Sequence, residues 1–66
     1  MVWQYMTVGG VYDDDSSALV IEEVNQICGG GKWELFSFSY NAITDSRVSP
    51  IVVGYTIMAV LRYWTI

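Results

Sequence analysis

Few side chains in this sequence could carry out catalysis. The 66 residues contain no histidine, a single cysteine (Cys28) and three cations (Lys32, Arg47 and Arg62). A cysteine nucleophile needs a neighbouring base, and a tetrahedral zinc site needs several nitrogen or sulfur ligands. Paired carboxylates can cleave glycosides, but only across a cleft, which a monomer of this length rarely forms. We therefore predict that the chain is not an enzyme and holds no metal and no cofactor.

The acidic run Asp13, Asp14 and Asp15 has two interpretations. Consecutive carboxylates point in different directions and no calcium-loop spacing follows them, so a divalent-cation site is disfavoured. Aspartate and serine accept hydrogen bonds from the first N–H groups of a helix, and acidic residues in its first turn suit the helix dipole. We predict a helix start here. Together with Glu22 and Glu23, the run is also the candidate surface for a basic partner protein.

Arg62 lies in the most aromatic segment of the chain, next to Tyr63 and Trp64. A guanidinium can donate paired hydrogen bonds to an anion, and aromatic rings supply stacking. We predict a ligand site around Arg62, Tyr63 and Trp64, with Trp3 and Tyr5 as neighbours. The alternative is that Arg62 is a solvated charge at a strand end and that the rings join subunits.

The order of hydrophobic patterns predicts strand, helix, strand, strand within a single domain, residues 1–66. Strands are predicted over residues 2–8, 32–40 and 51–66, with Gly9 and Gly10 ending the first and a polar loop over residues 41–49. Residues 17–28 predict a helix that buries Val20, Val24, Ile27 and Cys28. A glycine run ends it, and one of the three glycines can adopt the left-handed conformation. The fold class is α+β, one helix packed on a small antiparallel or mixed three-stranded sheet.

Alternation within the strands places aromatic side chains on both faces of this sheet. In the last strand, Arg62 and Trp64 alternate with Leu61 and Tyr63. In the middle strand one face is predicted to hold Trp33, Leu35, Ser37 and Ser39, and the other Glu34, Phe36, Phe38 and Tyr40. One helix covers one face, so the other needs a partner. The long last strand would also have unpaired backbone groups unless another strand covers it. Both observations predict a homo-oligomer.

Charge and hydropathy exclude several partners. The net charge of −4 repels phosphate backbones, so we expect no direct binding of nucleic acid. The N-terminus lacks the pattern of a signal peptide, and the most apolar run, residues 51–61, is too short to cross a bilayer as a helix. We therefore expect no membrane association and a cytoplasmic location, which the single unpaired cysteine also favours.

Several short motifs resemble a small bacterial and phage domain of unknown function. The residues are Trp3-Gln4-Tyr5, Asn25-Gln26-Ile27 and Trp33-Glu34-Leu35, with a final strand ending near Arg62. Members of the family show an early W-x-Y strand, then a helix running into an L-N-x-L-G-x-x-G-W-E-L segment, then a closing strand. The resemblance covers about residues 3–64. Here Lys32 precedes the tryptophan where the family has glycine, and the glycine turn is one residue longer.

The resemblance implies a fold and an origin, and no chemistry. A bacterial or phage source makes a role against host defences an expectation by analogy, because small acidic phage proteins often act in this way. We predict a non-enzymatic binding or assembly module, homo-oligomeric, that sequesters a small anionic, nucleotide-like ligand. The alternative prediction is an acidic inhibitor that blocks a basic surface of a host protein.

Overall fold

The chain forms one helix and one three-stranded sheet in a computed structural model that describes residues 1–45, 47 and 51–66. The elements are β1 (Val2–Tyr12), α1 (Ser17–Cys28), β2 (Glu34–Asp45) and β3 (Ile51–Thr65). The strand order in the sheet is β1-β3-β2, and both edge strands pair antiparallel with β3. The predicted α+β class and the strand-helix-strand-strand order are confirmed, and the sheet is antiparallel.

Helix α1 has the predicted bounds and buries the predicted stripe. Val20 and Val24 are buried, and Ile27 and Cys28 pack against them. The aspartates precede the first turn instead of lying in it. The backbone N–H of Ser17, the first residue of the helix, donates to Asp15 Oδ1 at 3.0 Å. At the other end, the N–H of Gly31 donates to the carbonyl of Cys28, and Gly31 has a φ of +82°. The predicted left-handed glycine is therefore confirmed.

Strand β1 does not end at Gly9 and Gly10, as the sequence predicted, but continues to Tyr12. Gly9 keeps its place in the ladder opposite Met58, with a φ of +112°. A Cβ on Gly9 would overlap the carbonyl oxygen of Ile57 on the neighbouring strand. The glycine is therefore present because β3 comes too close for a side chain, and it does not terminate the strand.

Strand β2 begins later and ends later than predicted. Residues 41–45, predicted as loop, pair with the first part of β3. The remainder of that predicted loop lies outside the described residues, except Arg47, whose guanidinium pairs with Asp45 at 2.9 Å. The polar residues led to a wrong prediction because β2 is an edge strand with solvent on both faces. Polar side chains in such a strand cost little stability.

The predicted faces of β2 are also wrong from Ser37 onwards. The register with β3 shifts between Leu35 and Ser37, so Phe36 is an extra residue in a β-bulge. After the bulge the alternation is reversed: Phe38 and Tyr40 share the face of Leu35, whereas Ser37 and Ser39 share that of Glu34. A second shift lies between Ile43 and Thr44, where Val53 of β3 is the extra residue beside Gly54.

The core lies between α1 and the sheet. It consists of six buried aliphatic side chains, Val8, Val20, Val24, Ile57, Ala59 and Leu61. Because β3 is the central strand, its backbone is paired on both sides over most of its length. The predicted unpaired edge therefore belongs to β1 and β2, and not to the C-terminal strand. No helix among the described residues is long and apolar enough to cross a membrane.

Candidate functional site

The face of the sheet opposite α1, here called the open face, carries most of the predicted site. Leu61 is fully buried towards α1, so its neighbours Arg62 and Val60 lie on the open face. In the ladder Arg62 lies between Tyr5 of β1 and Glu34 of β2, and Trp64 lies opposite Trp3. The structure therefore brings together four of the five predicted ligand-binding residues, Trp3, Tyr5, Arg62 and Trp64.

Arg62 is held by three side chains. Its Nε donates to Glu34 Oε1 at 2.8 Å. Its guanidinium carbon lies 4.0 Å from the ring centroid of Trp3 and 4.6 Å from that of Phe36. Cation–π contacts of this kind contribute on the order of 0.5–1 kcal/mol at exposed sites. The guanidinium is therefore fixed between two rings from different strands, with its charge balanced by one carboxylate.

The surrounding rings pack edge to face. The centroids of Trp3 and Trp64 are 5.1 Å apart at 70°, and those of Tyr5 and Phe36 are 5.7 Å apart at 71°. Edge-to-face pairs at such distances are favourable. Their exposed fractions are 36% for Trp3, 53% for Tyr5, 51% for Phe36 and 47% for Trp64. We call these four rings with Arg62 and Glu34 the Arg62 cluster.

Tyr63 does not belong to the cluster. It lies on the α1 side of the sheet, where its ring packs edge to face on Trp33 with the centroids 4.6 Å apart. Lys32 Nζ lies 4.3 Å from the same ring. Neighbours in a strand point to opposite faces, so Tyr63 and Arg62 could not share a site on one face. Two members of the cluster, Glu34 and Phe36, were not predicted, because the sequence does not show that this end of β2 lies beside Arg62 of β3.

The acidic residues divide into bonded and free carboxylates. Asp15 accepts hydrogen bonds from the N–H of Ser17 and, at 2.9 Å, from the hydroxyl of Tyr40. These bonds lower the pKa of Asp15, and the bond to Asp15 raises the pKa of Tyr40. Asp13, Asp14, Glu22 and Glu23 are exposed. Within the described residues no three potential metal ligands lie together.

Two hollows in the described surface lie beside α1. One of about 320 Å³ separates α1 from β2 and is lined by Ile21, Val24, Asn25, Leu35 and Phe38. Another, more open, follows the outer side of α1 past Ile21 and Asn25. Cys28 is half-buried against the core. The Arg62 cluster lies outside both hollows.

Comparison of the chain with protein-family models, curated proteins and solved structures finds no match. The resemblance to a bacterial and phage domain accordingly stays a prediction. Any functional conclusion for this chain rests on the geometry of its own surfaces.

Proposed function

We propose that the chain is a non-enzymatic assembly module that forms a homo-oligomer by packing its open face against that of a second copy. One observation carries the proposal: four half-exposed aromatic rings surround a neutralised arginine on a sheet face that α1 does not cover. Tryptophan, tyrosine and arginine are the residue types that dominate the binding energy of protein interfaces.

The charges of the open face suit a second copy. The chain has a net charge of −4, yet within the cluster Arg62 and Glu34 neutralise each other. Glu22 and Glu23 belong to α1, and Asp15 bonds to Tyr40 on the α1 side of the sheet. Asp45 is paired with Arg47. Five of the seven carboxylates are therefore paired with an arginine or lie on the α1 side of the sheet, which reduces the repulsion between two copies at the open face.

The dimensions of the chain also favour an assembly. The Cα extents are 53 × 21 × 11 Å, which is an elongated shape for a chain of 66 residues. The radius of gyration is 14.8 Å, whereas a compact chain of this length has about 11 Å. The accessible surface of 4718 Å² likewise exceeds the ~4,200 Å² expected for a monomer of this mass.

Small-molecule sites are concave, and the Arg62 cluster lies outside both hollows beside α1, which favours a protein surface over a small ligand. One observation supports a small anion as the second candidate. Of the three guanidinium nitrogens of Arg62, only Nε donates a hydrogen bond to a described residue. The two terminal nitrogens can therefore bind a phosphate or carboxylate. Native mass spectrometry distinguishes the two: an anion would appear as added mass on the wild type that Arg62→Ala loses.

Sedimentation velocity on the wild type and two matched variants tests the assembly. Trp64→Ser removes a ring of the open face that is 47% exposed, and Leu19→Ser removes an apolar side chain of α1 that is 67% exposed. We expect the wild type to exceed the 7.4 kDa monomer mass. Trp64→Ser should weaken association by about 30-fold, which corresponds to the ~2 kcal/mol of an interface hot spot.

Leu19→Ser should sediment like the wild type, because it lies on the other side of the molecule. Circular dichroism confirms that both variants are folded. A wild-type monomer at tens of micromolar would refute the proposed function. Equal effects of Trp64→Ser and Leu19→Ser would show that the open face is not the interface.

A further inference from the structure

We infer that the outer edge of β1 is a second self-association surface, on which two copies pair β1 with β1 about a two-fold axis. The result is one continuous six-stranded sheet in the order β2-β3-β1-β1-β3-β2. This inference rests on the proposed function in one respect only, that the chain associates with itself. It concerns a different surface and depends on different observations.

The first observation is the regularity of β1. Its pairing with β3 runs without a shift through eleven residue pairs, from Val2 opposite Thr65 to Tyr12 opposite Tyr55. In an antiparallel strand, alternate residues direct their N–H and C=O groups away from the existing partner. Over eleven residues this edge is about 37 Å long. The ladder between the other edge strand, β2, and β3 has two register shifts. Strand β2 therefore offers no comparable row of unpaired N–H and C=O groups.

The second observation is the chemistry of β1. Natural proteins protect free edges with charges, prolines, bulges or very short strands. Strand β1 has the sequence VWQYMTVGGVY, which contains no charged residue and no proline. Strand β2 begins with Glu34, ends with Asp45 and contains a bulge. Of the two edge strands, β1 is therefore the one that lacks every protective feature. Pairing β1 with β1 also brings no two carboxylates of these strands together.

A pairing centred on Thr7, the midpoint of β1, brings complementary side chains together. Thr7 then faces its own copy, and Tyr5 faces Gly9 of the partner. Threonine pairs are favourable across strands, and an aromatic ring opposite a glycine covers its exposed backbone. Trp3 faces Val11, which is 72% exposed in the single chain. This register covers apolar side chains of β1 that the isolated chain leaves in solvent.

The two surfaces are compatible in one assembly. A two-fold axis perpendicular to the sheet leaves both α1 helices on one side and both open faces on the other. The edge pair therefore has an open face of double width, which can stack on another such pair. Two perpendicular two-fold contacts give a tetramer of closed symmetry.

The test uses Thr7→Lys, which places two like charges together at the proposed axis. Ser39→Lys is the matched control, because Ser39 is also exposed and on the open face, but belongs to β2. Both substitutions are made alone and in a Trp64→Ser background, where the face contact is weakened and the edge contact is intact. We expect Trp64→Ser to be a dimer, its combination with Thr7→Lys a monomer, and its combination with Ser39→Lys a dimer.

The outcomes separate the two proposals. If Trp64→Ser alone is a monomer, the face contact stands and the edge contact is overturned. If Trp64→Ser leaves the assembly unchanged, the face contact is refuted, and Thr7→Lys in the otherwise wild-type chain must still lower the mass. Equal masses for Thr7→Lys and Ser39→Lys in both backgrounds overturn the edge contact.

Crosslinking gives an independent readout of the register. Thr7→Cys in a Cys28→Ala chain should form a disulfide-linked dimer under mild oxidation, because opposed Cβ atoms in a strand pair lie ~4.5–5.5 Å apart, close to disulfide distance. Ser39→Cys in the same background should stay uncrosslinked. Equal yields from the two positions would contradict a pairing centred on Thr7.

Discussion

Gly9→Ala should strongly destabilise the protein, although it adds a single methyl group to an exposed strand residue. Gly9 has a φ of +112°, which costs an L-residue on the order of 1–3 kcal/mol. The new Cβ would also overlap the carbonyl oxygen of Ile57, a backbone atom that no rotamer change can move away. To relieve the overlap β1 must shift away from β3, and each weakened ladder hydrogen bond contributes about 1 kcal/mol.

The expected total loss is therefore at least about 3 kcal/mol, a large share of the ~5 kcal/mol that a domain at the lower limit of stability has. Urea unfolding followed by tryptophan fluorescence measures it. All samples must have one protein concentration, because association contributes to apparent stability. Gly30→Ala is the control: its Cβ would lie 3.6 Å from the carbonyl oxygen of Ile27, an ordinary contact.

We expect Gly30→Ala to stay within about 1 kcal/mol of the wild type. If Gly9→Ala has an unfolding midpoint equal to that of Gly30→Ala, the close approach of β1 and β3 is wrong. The interpretation of Gly9 as a packing residue would then be refuted.

Four further predictions concern ionisable side chains and the cysteine. The pKa of Asp15 is lowered in the folded state, so this residue contributes stability above about pH 3.9. That stability is lost as the pH falls through the pKa of the folded state. Asp15→Ala should therefore flatten the acid limb of a curve of stability against pH. The raised pKa of Tyr40 acts in the opposite range, and Tyr40→Phe should reduce the loss of stability above about pH 10. Glu34→Gln leaves Arg62 uncompensated, so two open faces should repel each other and association measured by sedimentation should weaken more at low salt than at high salt. Cys28→Ala should cost about 1 kcal/mol in urea unfolding and leave the assembly intact, whereas loss of assembly in a folded variant would contradict a purely structural cysteine.

The helix could be predicted from the sequence because its signals are local. Aliphatic residues at spacings of three and four, polar residues before Ser17 and glycines after Cys28 each depend on neighbours in the chain. The structure places both ends of α1 where these signals predicted them. The alternation in β3 was equally local, and it correctly separated Leu61 from Arg62.

The errors occurred where the answer depends on another strand. Gly9 looks like a turn residue until β3 is placed beside it, and the bulge at Phe36 is visible only in the register with β3. The strand order was not predicted either, so Glu34 was not recognised as the partner of Arg62. Tyr63 was assigned to the site by proximity in sequence, although the alternation of a strand places it on the other face.

The central position of β3 has a consequence for how the chain folds. Strand β3 is the last strand in the sequence, and its partner β1 is the first, so Val2 meets Thr65 only after almost the whole chain has closed into a loop. Strands β2 and β3 are neighbours in sequence and close a much shorter loop. We therefore expect the β2–β3 pair to form early and β1 to join late, with the slow rates of topologies dominated by distant contacts. During synthesis on the ribosome, β1 emerges before β3. Until β3 has been made, β1 is an unpaired strand that is uncharged and rich in aromatic residues.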